Sequence, residues 1–354
     1  MGLLGSNTTR RRSLDSLRSK ALPEKPPRFP HAIIYHILFL GGPIKTKFRL
    51  SAAPAATMVS LFFAEAGLRA FGYQPRKLNL TQYSQDVMLE ATGLPYLYKP
   101  QVSFALEWPS NPSGYFAPGS NRLVFHTNNA GFRGPDFSLA RNFRTRIAVI
   151  GDSLCWGQGV KEEHMASMVL ERELNRDGGD RYEVYNFCLT SYQTADEVEL
   201  FDRVVASYLP DVVVVWFFLN DFFEPGTLGG WGIIGNRNLV AGVRERSVLL
   251  DTIFTPIDEW VTSRKMIRMY REVYRPDSPQ FQKGRQALAR LKKICGEQDI
   301  IPVLAIHPIL YRLDESYGFR WVHQLMVKTA GELEMPVVDM LPWFLGRKDR
   351  ELWV

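Results

Sequence analysis

Cysteine is scarce in this chain. The three present, Cys155, Cys188 and Cys295, have neither the paired spacing of a metal site nor the even count of a disulfide framework. No metal or other cofactor is therefore expected, and the cysteines leave the redox compartment open. An acidic surplus is missing as well: 43 Lys and Arg stand against 37 Asp and Glu, for a net charge of +6. The cations gather near the start of the chain, at Arg10, Arg11, Arg12, Arg18, Lys20 and Lys25, away from every motif that could carry chemistry. A nucleic-acid partner is therefore not expected. Apolar material is not lacking. With 45% hydrophobic residues, a chain of 354 can bury one large α/β domain with appendages, or two domains. Oligomeric state is not legible in these residues.

Long apolar runs are also few. Residues 1–48 read as a basic, solvated tail, too poor in core-forming side chains to fold alone. They include a short apolar segment, residues 31–44, that falls short of a bilayer span. The run from Leu50 to Leu68 has about the length of a spanning helix, with Pro54 near its start and Glu65 near its end. Residues 49–72 are accordingly expected to form a single membrane helix. Lys45, Lys47 and Arg49 precede it, and cations on that side place the main domain in the periplasm or outside the cell. The alternative is a soluble, alanine-rich helix packed on the domain.

Residues 73–143 change character, with scattered prolines and aromatics and no helical period, and read as an irregular, β-containing prelude. Asn128-Asn129-Ala130-Gly131-Phe132-Arg133-Gly134-Pro135 is its densest turn signal, expected to be a loop packing on the main domain. From residue 144 onward an α/β rhythm sets in. Strands are predicted at 146–150, 182–187, 211–217, 300–306 and 336–338. Helices alternate with them at 161–175, 193–208, 280–297 and 317–333, and an insertion at 222–279 is glycine-rich and then helical. Such alternation implies a parallel sheet with right-handed crossovers, hence a three-layer α/β/α domain with a flavodoxin-like sheet over residues 144–354.

The ends of these strands carry polar residues. The apolar run Ile147-Ala148-Val149-Ile150 stops at Gly151-Asp152-Ser153-Leu154. The second strand ends in Asn186-Phe187-Cys188-Leu189-Thr190-Ser191-Tyr192, and the third in Leu219-Asn220-Asp221. Open α/β sheets gather ligands at this carboxyl edge, and a hydroxyl there can act as a nucleophile. The plainer readings are a serine capping the next helix and an asparagine satisfied within its own turn.

Gly151-Asp152-Ser153-Leu154 and Asn220-Asp221 together resemble the SGNH, or GDSL-type, serine hydrolase superfamily. The segments Glu65-Ala-Gly-Leu-Arg69 and Asn129-Ala-Gly-Phe-Arg133 resemble its membrane-anchored bacterial branch. The resemblance implies Ser153 as nucleophile and as backbone donor to the oxyanion, and Asn220 as side-chain donor. Ser191 stands where the family usually has glycine and supplies a backbone N–H. Asp152 and Asp221 are expected to shape turns. The family also uses an Asp-x-x-His pair after its last strand, and this sequence contains none. Pro336-Val-Val-Asp339-Met-Leu-Pro342 resembles the lead-in to that block, so the domain reads as C-terminally incomplete and Asp339 as part of the lead-in. His323 falls mid-helix, where a surface or core role is expected, whereas His307 follows the strand ending at Ile306, on the same edge as Ser153, and is the substitute base considered. The implied activity is ester hydrolysis or O-acyl (acetyl) transfer on an acylated glycan or lipid, impaired by the missing pair. A non-catalytic binding or scaffold protein, or a truncated product, is the alternative.

Overall fold

The computed structural model describes residues 46–73, 85–108, 114–116, 121–141, 143–224, 244 and 246–352. The basic tail up to residue 45 and the glycine-rich part of the insertion, 225–243, lie outside these residues. The chain divides into two units, residues 1–63 and 64–354.

Helix α1 (Thr46–Ala70) covers the segment expected to span a membrane. Its composition opposes that role: Lys47, Arg49, Glu65 and Arg69 are charged, small residues fill much of the remainder, and Pro54 interrupts the helical ladder. No helix among the described residues is long and apolar enough to cross a membrane. Met58, Val59, Leu61, Phe62 and Phe63 are nonetheless exposed on it.

Within the larger unit, Glu65 turns its carboxylate onto a helix start. Its oxygens accept from Val248 N at 3.0 Å and Leu249 N at 2.8 Å, at the head of the helix Val248–Val273 (numbered α5 below). Burial pushes this carboxyl up. The two N–H groups, Arg69 and Ser247 outweigh that and bring it down to about 2, as expected where orphan N–H donors meet an anion.

The prelude forms two hairpins. Strand β1 (Met88–Ala91) pairs with β2 (Leu94–Tyr98), and β3 (Ser103–Glu107) with β4 (Arg122–His126), both antiparallel. The turn signal at 128–135 packs on the main domain, as expected. Asn128 Oδ1 accepts from Ala130 N and Phe132 N. Gly131 sits at φ +84°, with Tyr98 O where a Cβ would come within 2.3 Å.

Five parallel strands make the main sheet: β5 (Thr145–Gly151), β6 (Tyr182–Asn186), β7 (Val212–Phe218), β8 (Ile301–His307) and β9 (Val337–Asp339). Their order is β6-β5-β7-β8-β9, so the chain reverses its direction of winding at β5. Between them run α2 (Ser153–Trp156), α3 (Ala166–Leu174), α4 (Thr194–Arg203), α5 (Val248–Val273), α6 (Pro279–Glu297) and α7 (Arg320–Glu332), with α8 (Leu341–Phe344) after β9. The expected parallel α/β domain is therefore present. Almost all of β5 is buried, which is why its sequence is a continuous apolar run. Buried Arg146 anchors its start, pairing with Glu183 at 2.6 Å and lying over the Tyr185 ring. Strand ends differ from expectation by about one residue, and the shift matters at His307, which is the last residue of β8 and not the first after it.

Candidate active site at the carboxyl edge of the sheet

Strand β5 stops where a side chain no longer fits. A Cβ on Gly151 would lie 2.9 Å from Trp216 O and 3.0 Å from Cys155 Sγ, so the strand passes beneath Trp216 only as glycine. Asp152 then caps the next turn, accepting from Leu154 N at 2.9 Å. This leaves Ser153 as the first residue of α2, half-buried at the mouth of the edge. The helix that follows Ser153 is one turn long and closes at Gly157, φ +81°. It has almost no macrodipole, so any stabilisation of an anion must come from individual N–H groups. Arg133, reaching over from the prelude, donates to the carbonyls of Trp156, Gly157 and Val160 and stacks 4.5 Å from the Phe125 centroid. The resemblance in sequence marked Arg133 only as part of a motif; its grip on the turn of Ser153 was not legible.

The loop after β6 is drawn onto this turn. Leu189 N donates to Gly151 O at 3.0 Å, and Cys188 forms a disulfide with Cys155, with Cα atoms 5.7 Å apart, within the normal range. The expectation that the cysteines form no disulfide framework is corrected here: two partners 33 residues apart in sequence meet because β5 and β6 are neighbours. Tyr96 OH donates to Thr190 O at 2.7 Å, Tyr98 OH lies 3.0 Å from Thr190 Oγ1, and Tyr192 OH donates to Tyr96 O. Held in this way, Ser191 is exposed and takes φ +64°. That is the left-handed region a Cβ disfavours by about 1–2 kcal/mol. Among the described residues, neither Ser153 N–H nor Ser191 N–H donates to another protein group.

Asn220 lies in the turn two residues after β7, half-buried, with its side chain hydrogen-bonded to the Asp152 carboxyl and its Oδ1 buried without a partner among the described residues. Asp221 closes the turn, its carboxylate accepting from Phe218 N at 2.7 Å while its carbonyl accepts from Thr194 N at 3.2 Å. The two aspartates thus hold turns, as expected. Behind them lies a cluster that sequence reasoning missed. Asp152, Asp221 and Glu197 of α4 are all at most 2% exposed, and neither Glu197 oxygen has a partner among the described residues. Burial pushes Asp152 up to about 6, and burial plus mutual repulsion pushes Glu197 and Asp221 well above the carboxylate range. Among the described residues, no set of His, Cys, Asp and Glu side chains is arranged to hold a metal ion.

The imidazoles lie elsewhere on the edge. In the strand registers Gly151 is level with Trp216, Trp216 with Ala305, and Phe218 with His307. Gly151 and Ala305 are thus two inter-strand spacings apart, roughly 9.5 Å, and Ser153 and His307 are each two residues past that level. His307 is enclosed by the rings of Trp216, Phe218 and Phe344. Its Nδ1 faces Pro308 O at 2.8 Å and not a carboxylate, and burial lowers its pKa to about 4. His323 is fully buried in α7. Its Nδ1 lies 2.7 Å from Asp339 Oδ1 and its Nε2 3.2 Å from Tyr317 OH. This is an imidazole–carboxylate pair, but one directed at a tyrosine in its own corner. No hydrogen bond joins Ser153 to an imidazole among the described residues.

The fold and this edge define an α/β protein with a five-stranded parallel sheet flanked by helices, the architecture that the sequence resemblance implied. No protein-family model matches the chain, and no curated protein matches it in sequence. Similar solved structures include AlinE4, an SGNH-hydrolase family esterase, at 16% identity and a TM-score of 0.35 over 59% of this chain and 84% of that one. The psychrotrophic esterase EstA from Pseudoalteromonas sp. is similar at 14% identity and 0.34, over 58% and 86%. The acetyl xylan esterase AlAXEase is similar at 16% and 0.36, over 56% and 79%. Likenesses this distant carry no residue roles across.

Proposed function

We propose that residues 144–354 act on ester bonds in the SGNH manner, with Ser153 as nucleophile, for hydrolysis or O-acyl transfer on an acylated glycan or lipid. The observation that carries the proposal is the pair of N–H groups, on Ser153 and Ser191, that make no other bond among the described residues, in a turn and a loop tied together by Leu189 N to Gly151 O and by the Cys155–Cys188 bridge. In the step proposed, Ser153 Oγ bonds to the acyl carbon while its proton passes to a base. The carbonyl oxygen takes the negative charge against these N–H groups and the Asn220 amide. The alkoxide then leaves with a proton, and water or a second hydroxyl takes the acyl group. Asn220 Nδ2 has two hydrogens, so one can hold Asp152 while the other meets the oxyanion.

The base is the weak part. His307 is the substitute base in this proposal, but its low pKa and its distance from Ser153 limit it to a small contribution. A serine hydroxyl without an adjacent base is a poor nucleophile at neutral pH. Residues 1–354 are therefore proposed to be an impaired hydrolase, with a binding or scaffold role as the second reading. That second reading is favoured by the commitment of His323 to Tyr317 and Asp339.

The Cys155–Cys188 disulfide supports folding outside a reducing cytosol, and the exposed apolar side chains of α1 support attachment at a membrane. A serine-reactive fluorophosphonate tests the site. Labelling of the wild type that disappears in Ser153→Ala supports the proposal, and equal labelling of both sinks it. Fractionation of cells tests the location, which a soluble cytoplasmic product would contradict.

A further inference from the structure

Beyond Gly151 and Asn186 the ladder between β5 and β6 has run out. Two backbone bonds, Phe187 N to Val149 O and Leu189 N to Gly151 O, carry the pairing a little further, after which one chain turns into α2 and the other into the loop of Ser191. The disulfide lies at this parting. Cys155 is two residues after Ser153, in the same single turn of helix, and Cys188 is three residues before Ser191. Both are essentially inaccessible, at 1% and 0% exposure, and Cys155 Sγ lies under Gly151, at the spot that excludes a Cβ there. A bridge needed only to hold the fold together could join any two elements; this one joins the turn of Ser153 to the loop of Ser191, two residues whose N–H groups make no other bond among the described residues.

We infer that the Cys155–Cys188 disulfide is a positioning element of the site, fixing the N–H of Ser191 relative to the hydroxyl and N–H of Ser153. This rests on the proposed role of Ser153. The strained residue makes the requirement concrete: Ser191 at φ +64° is a conformation serine leaves when released, and the loop that holds it is anchored by the hydroxyl cluster of Tyr96, Tyr98 and Thr190, by Tyr192 OH to Tyr96 O, by Leu189 N to Gly151 O and, covalently, by the bridge. Reduction by a dithiol moves two electrons and two protons to the pair, giving two thiols and the oxidised reductant. The Cys188 thiol then has Val149 O as an acceptor 3.5 Å away, and the covalent tie between the Ser191 loop and the turn of Ser153 is lost. Burial of both sulfurs means that a reductant reaches them only when the 187–192 loop opens, so the bridge acts as a lasting constraint and not as a rapid switch. Cys295 does not compete for exchange, since it is buried in α6 and its thiol is pushed up to about 12 by that burial.

The experiment uses the whole chain of 354 residues and three forms of it: oxidised wild type, wild type reduced under native conditions, and the Cys155→Ala/Cys188→Ala double variant. Peptide mapping establishes the bridge in the first and its loss in the others. For each form, circular dichroism reports the fold and the second-order rate of fluorophosphonate labelling at Ser153 reports the site. Steady-state hydrolysis of an activated ester separates kcat from KM. The inference predicts that labelling and kcat fall on the order of 10²-fold, the loss typical of one oxyanion donor, with KM unchanged, the fold retained, and full recovery on reoxidation of the reduced wild type. If the double variant does not fold, the reduced wild type carries the same comparison. Equal labelling of bridged and folded unbridged protein overturns the inference alone, as does a native protein with three free thiols. Absence of labelling in the oxidised wild type overturns the role of Ser153 and the inference with it.

Discussion

Among the described residues, the β5–β6 corner holds the Ser153 hydroxyl and two N–H groups that make no other bond, with no imidazole hydrogen-bonded to that hydroxyl; the β8–β9 corner holds an imidazole and a carboxylate that are bonded to a tyrosine and not to a serine. The first corner is half-open: Ser153 is half-buried, Ser191 is exposed, and two N–H groups are unspent. The second is closed, for the pair His323–Asp339 runs on through Tyr317 OH to Ile309 N at 3.0 Å, and Leu341 N adds a bond to Asp339 Oδ1. That chain ties the exit of β8 to α7, β9 and α8. A histidine beside an aspartate is thus insufficient evidence of catalysis. What decides is the partner of the remaining ring nitrogen, and here it is a buried phenol.

The sharpest way to break this contrast acts on the open corner. Asn220→Ala removes the proposed side-chain donor and should lower residual esterase turnover by about 2.7–4 kcal/mol of transition-state stabilisation, measured as kcat/KM on an activated ester with the melting temperature as control. At the closed corner, His323→Ala should cost roughly 2–3 kcal/mol of stability, because a buried ring and its hydrogen bonds are lost together. The rate of Ser153 labelling in protein that remains folded should not change. Denaturant titration and probe labelling, run on the same sample, separate the two corners; a fall in labelling matching that of Asn220→Ala would make the closed corner catalytic.

The acids of the two corners should also part in their response to pH. Burial raises Asp339, but its bonds from His323 and Leu341 outweigh this and lower it below the ordinary range, so its contribution is present at neutral pH and lost as pH falls through that lowered value. Burial and mutual repulsion raise Glu197 and Asp221. Their raised values favour the fold at low pH, and that contribution is lost as pH rises through them. Glu197→Gln should accordingly stabilise the protein by on the order of 1–2 kcal/mol near pH 8 and change little near pH 4, as read from urea melts at both values. The smallest effect is expected from Ser191→Gly, which relieves the left-handed strain and should add about 1 kcal/mol of stability while leaving the N–H, and hence labelling, in place.

Much of the open corner was legible in sequence because each part is local. An apolar run ending in Gly-Asp-Ser and a valine-rich strand followed by Asn-Asp can each be read from a few consecutive residues. The closed corner was not legible. His323 and Asp339 are sixteen residues apart on a helix and a strand, and nothing in their spacing says that the helix folds back over that strand. The disulfide escaped for a similar reason, its partners being brought together by the adjacency of β5 and β6. Glu197 was hidden differently: an acid in the first turn of an amphipathic helix looks like an ordinary solvated charge, and only the packing of α4 over the sheet shows that it is buried.

The central claim, that Ser153 is a nucleophile with oxyanion donors but no effective base, is tested most directly by the hydrolysis of an activated ester by purified protein of residues 1–354. Wild type, Ser153→Ala and His307→Ala should be measured side by side. The account predicts an acceleration over water no greater than roughly 10³–10⁴, the residue left when a triad loses a member, abolished by Ser153→Ala and reduced only slightly by His307→Ala. Ordinary enzymatic turnover that vanishes in Ser153→Ala and persists in His307→Ala would contradict it, since a base unseen at either corner would then be at work.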